Sequence, residues 1–302
     1  MKRRDFIKGM GLMAGTTALA KPMDWLFPKE NTLHIIHTND VHSHIDPFPK
    51  TDRRYPGMGG YARRATIFKK LRNRYQNTLF VDAGDVFQGT PYFNYYEGKL
   101  DYKLMSELGY DVGTLGNHDF DNGVDKLLAA MQKCNFKMVN ANYTITNPLL
   151  RAHVKPYTIF QKANSKIGVI GLGVTFKGLV TPENHLGLVY GDPVTAAGKT
   201  VRQLRDVEHC DLVVCLSHLG IDGASGESGD IQLAQQVDGI DVIVGGHSHT
   251  FMDSPLLVST PKGWTTLIHQ VGWGGIWVGH IKVVIGENGK IHHKSAIHYG
   301  VG

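Results

Sequence analysis

Five short polar runs in this chain carry side chains that can bind metal ions. They offer carboxylate oxygens, one amide oxygen and several imidazole nitrogens, a mixture that suits divalent Zn, Mn, Fe or Co better than Ca, which prefers oxygen alone. Seven ligands are enough for two ions, and a pair of adjacent ions is typical of enzymes that hydrolyse phosphate esters. The candidate ligands are Asp40, His42, Asp85, Asn117, His218, His247 and His249.

The spacing within the runs favours a shared site. Asp40 and His42 are two positions apart, as are His247 and His249, and residues at that spacing point to the same face of an extended segment. Asp85 has two oxygens and can bridge two ions. A single Asp-x-His is common in proteins that bind no metal, so the prediction rests on the conjunction of all five runs in this order.

The polar runs follow short, apolar, β-branched stretches that predict strands. These strands are Leu33–His37, Thr78–Val81, Asp111–Leu115, Asp211–Leu216 and Asp241–Val244. Amphipathic stretches between them, such as Tyr61–Arg74 and Pro193–Asp206, predict helices. This alternation predicts an α/β core. After Val244 the chain reads as consecutive strands, with a turn at Glu287-Asn288-Gly289, which predicts a second, more antiparallel sheet over the last forty or so residues.

The first twenty residues predict an export signal rather than part of the fold. Arg3-Arg4-Asp5-Phe6-Ile7-Lys8 is typical of a twin-arginine signal, and Ala18-Leu19-Ala20 is typical of a cleavage site. The apolar run between them is shorter than the ~20 residues of a membrane span. We therefore expect a signal peptide at 1–20, a linker at 21–32 and a catalytic domain at 33–302. The mature protein is expected to be periplasmic or secreted, exported folded and without stable membrane insertion.

The charge of the chain gives no reason to expect a nucleic-acid partner. There are 32 Lys and Arg against 27 Asp and Glu. Four of the basic residues and one acidic residue fall in the first twenty, so the remainder has a net charge of only about +2. That is too weak to predict binding to nucleic acid or to a membrane surface.

The motif set resembles that of the calcineurin-like metallophosphoesterases, and within them the catalytic domain of the periplasmic 5′-nucleotidases. The resemblance covers residues 33–300 and implies a four-layer αββα sandwich, with two mixed β-sheets flanked by helices. The runs that carry it are Thr38-Asn39-Asp40-Val41-His42, Asp82-Ala83-Gly84-Asp85, Gly116-Asn117-His118-Asp119-Phe120-Asp121, Ser217-His218-Leu219-Gly220 and Gly245-Gly246-His247-Ser248-His249.

The resemblance also implies a role for each residue. Site one would comprise Asp40, His42, Asp85 and His249, and site two Asp85, Asn117, His218 and His247, so that Asp85 bridges two ions. His118 would be a catalytic histidine that binds no metal, held by Asp121. A protonated imidazole beside the ions can stabilise charge or protonate the leaving alkoxide, and Asp121 can fix its tautomer. For Asp119 we expect a structural role.

The predicted activity is that of a 5′-nucleotidase-like phosphomonoesterase in nucleotide catabolism, in which a hydroxide held between two ions attacks the phosphorus. A 2′,3′-cyclic nucleotide phosphodiesterase and a broad-specificity phosphatase are alternatives that use the same ligands. A thiosulfonate or sulfate-ester hydrolase is a weaker one. A non-catalytic metal-binding subunit would have no need for His118 and Asp121, which argues against that class.

The resemblance carries one further expectation, about partners. Family enzymes have a C-terminal domain that stacks the nucleobase between aromatic rings, whereas this sequence stops at Gly302, where the catalytic domain should end. We therefore expect either a separate polypeptide resembling that domain or broad specificity. The substrate would be a small phosphoester, with a nucleotide favoured, and the chain alone would gain little from the presence of a base.

Overall fold

The structure is a computed structural model that describes residues 31–223, 226–286 and 289–302. The predicted export signal lies outside the described residues, and so do Ala224, Ser225 and residues 287–288 of the predicted turn. In the described part the strands are β1 Asn31–Thr38, β2 Thr78–Asp82, β3 Val112–Gly113, β4 Lys137–Val139, β5 Tyr143–Ile145, β6 Val154–Lys155, β7 Tyr157–Lys162, β8 Ser165–Gly173, β9 Leu188–Tyr190, β10 Leu212–His218, β11 Val242–Gly245, β12 Leu256–Ser259, β13 Thr265–His269, β14 Trp277–Ile285 and β15 Ile291–Gly300.

Seven α-helices occur within the same described ranges. They are α1 Tyr61–Arg74, α2 Pro91–Tyr96, α3 Lys99–Leu108, α4 Gly123–Met131, α5 Pro148–His153, α6 Pro193–Arg202 and α7 Asp230–Gln236. Short 3₁₀ turns lie at His118–Phe120 and Pro182–His185, and a π-helical turn at Gln203–Val207 continues α6. Strand β1 begins two residues before the expected start of the domain. No helix among the described residues is long and apolar enough to cross a membrane.

Two mixed sheets lie at the centre of the molecule. One has seven strands in the order β15-β14-β1-β2-β3-β4-β6, and the other has six in the order β12-β13-β11-β10-β8-β7. Strands β1 to β4 pair in parallel in the first sheet, as do β8, β10, β11 and β13 in the second. Parallel pairing brings the carboxyl ends of the strands to one edge of each sheet, where ligands bind in open α/β sheets.

Three apolar cores separate four layers. Side chains of β1 alternate between its two faces. Leu33 and Ile35 pack between the two sheets, and Ile36 packs between the larger sheet and its helices. On the other side, Ile170 of β8 packs against Val201 of α6. The layers therefore run helices, sheet, sheet, helices. The predicted αββα sandwich is confirmed.

The prediction for the C-terminal strands is wrong in part. The sequence predicts that they form a second, more antiparallel sheet, but they divide between the two sheets. Strand β13 runs parallel to β11, whereas β14 and β15 form an antiparallel hairpin against β1. Apolar periodicity marks where a strand lies and which face it buries, but it does not say which strand becomes its neighbour.

Candidate active site

Six of the seven predicted ligands form two adjacent groups at the carboxyl ends of the parallel strands. The first group is Asp40, His42 and His249, and the second is Asp85, His218 and His247; within each group one ligand atom per residue lies within 4.8 Å of the others. The groups touch, because His42 Nε2 is 3.9 Å from Asp85 Oδ2 and His218 Nε2 is 4.0 Å from Asp40 Oδ1. Asp85 therefore reaches both groups.

The seventh predicted ligand, Asn117, has a side-chain oxygen that fits a cation. Its Oδ1 is buried and has no hydrogen-bond partner among the described residues. The next residue, His118, donates its backbone N–H to Asp85 Oδ1 at 2.8 Å, which keeps Asn117 close to the second group. A buried oxygen without a partner is costly unless a ligand completes its bonding. Asn117 thus meets the requirement of a metal ligand.

The orientation of two imidazoles fits a metal as well. His42 donates Nδ1–H to the carbonyl oxygen of Phe87 at 3.1 Å, and His218 donates Nδ1–H to that of Ala83 at 2.7 Å. A carbonyl oxygen only accepts, so the proton of each neutral ring lies on Nδ1 and the lone pair on Nε2 faces the site. Metal-binding histidines are held by such a bond from their other nitrogen. The donor set present fits divalent ions.

The backbone of the site lies in an unfavourable conformation at several ligands. Asp40, His42, Asp85, His247 and His249 all have φ between 50° and 72°. This left-handed region costs a residue with a side chain about 1–2 kcal/mol. Such conformations persist where surrounding contacts impose them, and they concentrate at functional sites. The turns after β1, β2 and β11 therefore aim these side chains at a common point.

Two glycines allow the strand ends to approach each other. A Cβ on Gly84, where φ is +91°, would lie 2.6 Å from the backbone nitrogen of Gly116. A Cβ on Gly116 would lie 2.1 Å from Asp85 Oδ1. Real Cβ contacts are never that short, so a side chain at either position would push Asp85 away from its partners.

Asp119 organises the loop that carries Asp85. Its carboxylate accepts backbone N–H bonds from Asp85, Val86 and Gly116 at 2.8–3.2 Å. The side chain is buried. These contacts agree with the structural role expected for Asp119, because they tie the loop after β2 to the loop after β3.

His118 and Asp121 form a pair at the rim of the site. His118 Nδ1 is 2.8 Å from Asp121 Oδ2, and the His118 ring lies 5.3 Å from that of His42. The hydrogen bond to Asp121 outweighs burial and raises the pKa of His118. Asn184 Nδ2 in turn donates to the backbone oxygen of Asp121 at 2.7 Å. The bond at Nδ1 therefore orients the ring, and no hydrogen bond from the described residues occupies Nε2.

The charges of the site are strongly coupled. Burial lowers the pKa of His218, but the Asp85 and Asp40 carboxylates outweigh it and raise that pKa to about 10. Burial opposes ionisation of Asp85, and His218 overcomes this and lowers the pKa of Asp85. Without an ion, a proton on His218 balances the carboxylates. Metal binding requires neutral imidazoles and releases such protons.

Sequence reasoning missed three residues that shape the site. Trp273 stacks on His249 with 5.6 Å between ring centroids and 7° between planes. Asn39 donates to Asp40 Oδ2 at 2.7 Å, and Gln270 accepts from Thr250 N–H at 2.5 Å. Asn39 adjoins a ligand in the sequence and could have been suspected. Trp273 and Gln270 follow β13, and only the fold brings them to the ligands.

Two carboxylate–imidazole groups at the parallel strand ends of an αββα sandwich define a metal-dependent hydrolase. The calcineurin-like phosphoesterase family model matches residues 33–251. The chain therefore belongs to the calcineurin-like phosphoesterase family, whose members hydrolyse phosphoesters with divalent metal ions.

Individual relatives agree with this membership. A snake venom 5′-nucleotidase of Naja atra is 32% identical over 86% of this chain and 51% of its own length. A trifunctional nucleotide phosphoesterase of Bacillus subtilis is 30% identical over 86% of this chain and 18% of its own. The solved structure of a 5′-nucleotidase precursor from Thermus thermophilus has a TM-score of 0.81 and 34% identity, over 89% of this chain and 54% of that one. The chain thus spans about half the length of the 5′-nucleotidases it matches.

Proposed function

We propose that this protein is a two-metal phosphomonoesterase that removes phosphate from nucleoside 5′-monophosphates. The observation that carries the proposal is the contact between the two ligand groups through Asp85, 3.9 Å from His42 Nε2 and 3.0 Å from His218 Nε2. One ion would lie with Asp40, His42, Asp85 and His249, and the other with Asp85, Asn117, His218 and His247. Two ions, when bound, activate water and neutralise charge on the phosphoryl oxygens.

The chain's own residues supply the rest of the chemistry. Asp85 holds the two halves of the site together, and Asn117 presents a neutral amide beside the phosphoryl group. His118 holds a proton at Nε2 because Asp121 accepts the other ring N–H, and it gives that proton to the leaving alkoxide. Proton donation lowers the cost of expelling a sugar hydroxyl, which is a poor leaving group. No Ser or Cys nucleophile is required.

A nucleotide substrate is supported by relatives that are named 5′-nucleotidases. A relative in Bacillus subtilis is named a trifunctional nucleotide phosphoesterase, so more than one kind of nucleotide ester is a possible substrate, and hydrolysis of cyclic nucleotides at the same site is our second candidate. Export by the twin-arginine route to the periplasm or medium is part of the proposal and rests on residues 1–20 of the sequence.

A substrate screen on metal-reconstituted protein tests the proposal. The panel contains nucleoside 5′-monophosphates, 2′,3′-cyclic nucleotides and sugar phosphates, each assayed with Zn, Mn, Fe(II) or Co. The highest kcat/KM is expected for a 5′-monophosphate. A higher value for a cyclic nucleotide would replace the proposal with the second candidate, and no phosphate release from any substrate with any metal would reject both.

A further inference from the structure

A cavity of about 640 Å³ is lined by aromatic rings and prolines, with one aspartate and one threonine. Its volume falls in the range of small-molecule sites, about 300–1,000 Å³, which are mostly apolar with a few polar groups that fix orientation. The residues that matter here are His44, Asp46, Phe48, Tyr92, Tyr95 and Tyr96. Such a lining suits a flat aromatic ligand with polar edges.

The rings are arranged as two stacks on the same cavity. His44 and Phe48 stack with 4.4 Å between centroids and 18° between planes, and Tyr92 and Tyr96 with 6.5 Å and 15°. Tyr95 and Tyr96 are 79% and 41% exposed, so the hydrophobic core does not hold them. A contiguous exposed aromatic surface of this kind marks a binding site.

The cavity adjoins the metal-binding residues. His44 follows the ligand His42 by two positions, and Thr90, which also lines the cavity, donates to the carbonyl oxygen of Ser43 at 2.8 Å. The ring of Trp273 lies 5.2 Å from that of His44 and 5.6 Å from that of His249. One indole therefore packs against both a ring of the cavity wall and a ligand of the first group, so the cavity lies beside the metal-binding residues.

We infer that this cavity binds the nucleobase of the substrate, an inference that rests on the proposed nucleotidase function. Every base has a π-face that stacks on aromatic side chains. Asp46 accepts the hydroxyl hydrogen of Tyr92 at 2.6 Å and keeps acceptor positions for an exocyclic amine. The chain then distinguishes nucleotides from sugar phosphates by itself, whereas the motifs alone led us to expect little base preference.

The test compares kcat/KM for AMP, ribose 5-phosphate and p-nitrophenyl phosphate on the metal-loaded full chain. Wild type should prefer AMP to ribose 5-phosphate by about tenfold or more, since stacking on aromatic rings favours a base to that extent. Tyr95→Ala combined with Tyr96→Ala should raise KM for AMP and bring this ratio towards one, with far less effect on ribose 5-phosphate. Tyr95→Phe with Tyr96→Phe should restore the preference. Leu257→Ala, which changes an exposed apolar residue outside the cavity, is the matched control.

Each result decides the inference. A wild-type ratio near one, or alanine variants that keep the wild-type ratio, would overturn it. Alanine variants that keep the ratio but reduce the particle mass in light scattering would assign the tyrosines to contact with a second copy, which also overturns it. If none of the three esters is hydrolysed, the proposed function fails. Binding of adenosine, measured by calorimetric titration, then tests the cavity independently of activity. Saturable binding that the alanine variants lose supports the inference, and no binding to wild type rejects it.

Discussion

In the candidate metal centre imidazoles lie beside carboxylates, whereas between the two sheets two imidazoles lie against each other. His37 of β1 and His269 of β13 meet across the sheet interface, with His37 Nε2 2.9 Å from His269 Nδ1. Both are fully buried. His269 Nε2 donates to the Met252 carbonyl oxygen at 3.2 Å, so its Nδ1 accepts a hydrogen bond from His37. This hydrogen bond requires a neutral His269, and a second proton on His37 would lie on its buried Nδ1, which has no hydrogen-bond partner among the described residues.

The histidines of the two regions differ in the charged groups that surround them. Burial lowers the pKa of His37 well below its usual value and that of His269 to about 4. In the site, carboxylates raise the pKa of His218 and His118 in spite of burial, whereas burial still lowers the pKa of His42 and lowers that of His247 to about 4. Burial alone therefore favours a neutral histidine, whereas a carboxylate at hydrogen-bond distance, as beside His218 and His118, favours a protonated one.

The largest effect is expected from removal of the carboxylate shared by the two ligand groups. Asp85→Ala should lose both ions and lower kcat/KM by at least about 10³-fold, or about 4 kcal/mol of transition-state stabilisation. Metal content by plasma mass spectrometry and phosphate release measure the two effects. Asp253→Ala, at an exposed aspartate, should change neither. Two metals per chain in Asp85→Ala would contradict the assignment of Asp85 as the bridging ligand.

A histidine that faces a carboxylate but binds no metal should affect the rate and leave the metals in place. His118→Ala should lower kcat by roughly 10²–10⁴, the scale of a general acid or base. The metal content should remain that of wild type. If His118→Ala emptied one site, His118 would be a ligand and its proposed role would be wrong.

The pair between the sheets should make the protein sensitive to acid. In the unfolded chain these histidines have a pKa of about 6.5. In the folded chain the pKa of His269 is about 4. The unfolded state therefore holds more protons in this window, and the free energy of unfolding falls as the pH falls from about 6.5 to 4. The loss from His269 alone is about 3 kcal/mol.

Denaturant unfolding at several pH values measures this loss. His37→Gln combined with His269→Asn places amides where the bonded ring nitrogens lie, so it should keep an inter-sheet hydrogen bond and flatten the dependence between pH 6.5 and 4. His280 and His298 are the titratable neighbours of this pair and remain in both proteins. His293→Gln, at an exposed histidine, should keep the wild-type slope. An unchanged slope in the double variant would mean that other groups cause the acid sensitivity.

The smallest effect is expected where the carboxylate only supports an imidazole. Asp121→Asn should lower kcat by about 10- to 100-fold, the equivalent of the 1.5–3 kcal/mol of a hydrogen bond to a charged group. The loss should be smaller than that of His118→Ala and absent in the His118→Ala background. A double-mutant cycle measures this coupling, and additive losses would show that Asp121 acts independently of His118.

The sequence by itself determined the strands and the residues that follow them. Apolar, β-branched runs predicted β1, β2, β10 and β11 within one or two residues, because a strand buried on both faces must be apolar throughout. The ligand types were visible because Asp, Asn and His have no reason to cluster after buried strands unless they bind something. The four-layer fold came from the family resemblance carried by these motifs.

Only the tertiary structure decided which residues meet. The sequence could not assign β13 to one sheet and β14 to the other, since strand pairing depends on contacts between distant segments. Nor could the sequence show whether His37 is a packing residue or a metal ligand. His37 follows Leu33 and Ile35 on one face of β1. His37 is a packing residue because its face of the strand meets His269 instead of a carboxylate. The alternation of side chains along a strand turns Leu33, Ile35 and His37 to the same face, and this is a local property. The residues that they contact there belong to the opposite sheet and depend on the tertiary structure.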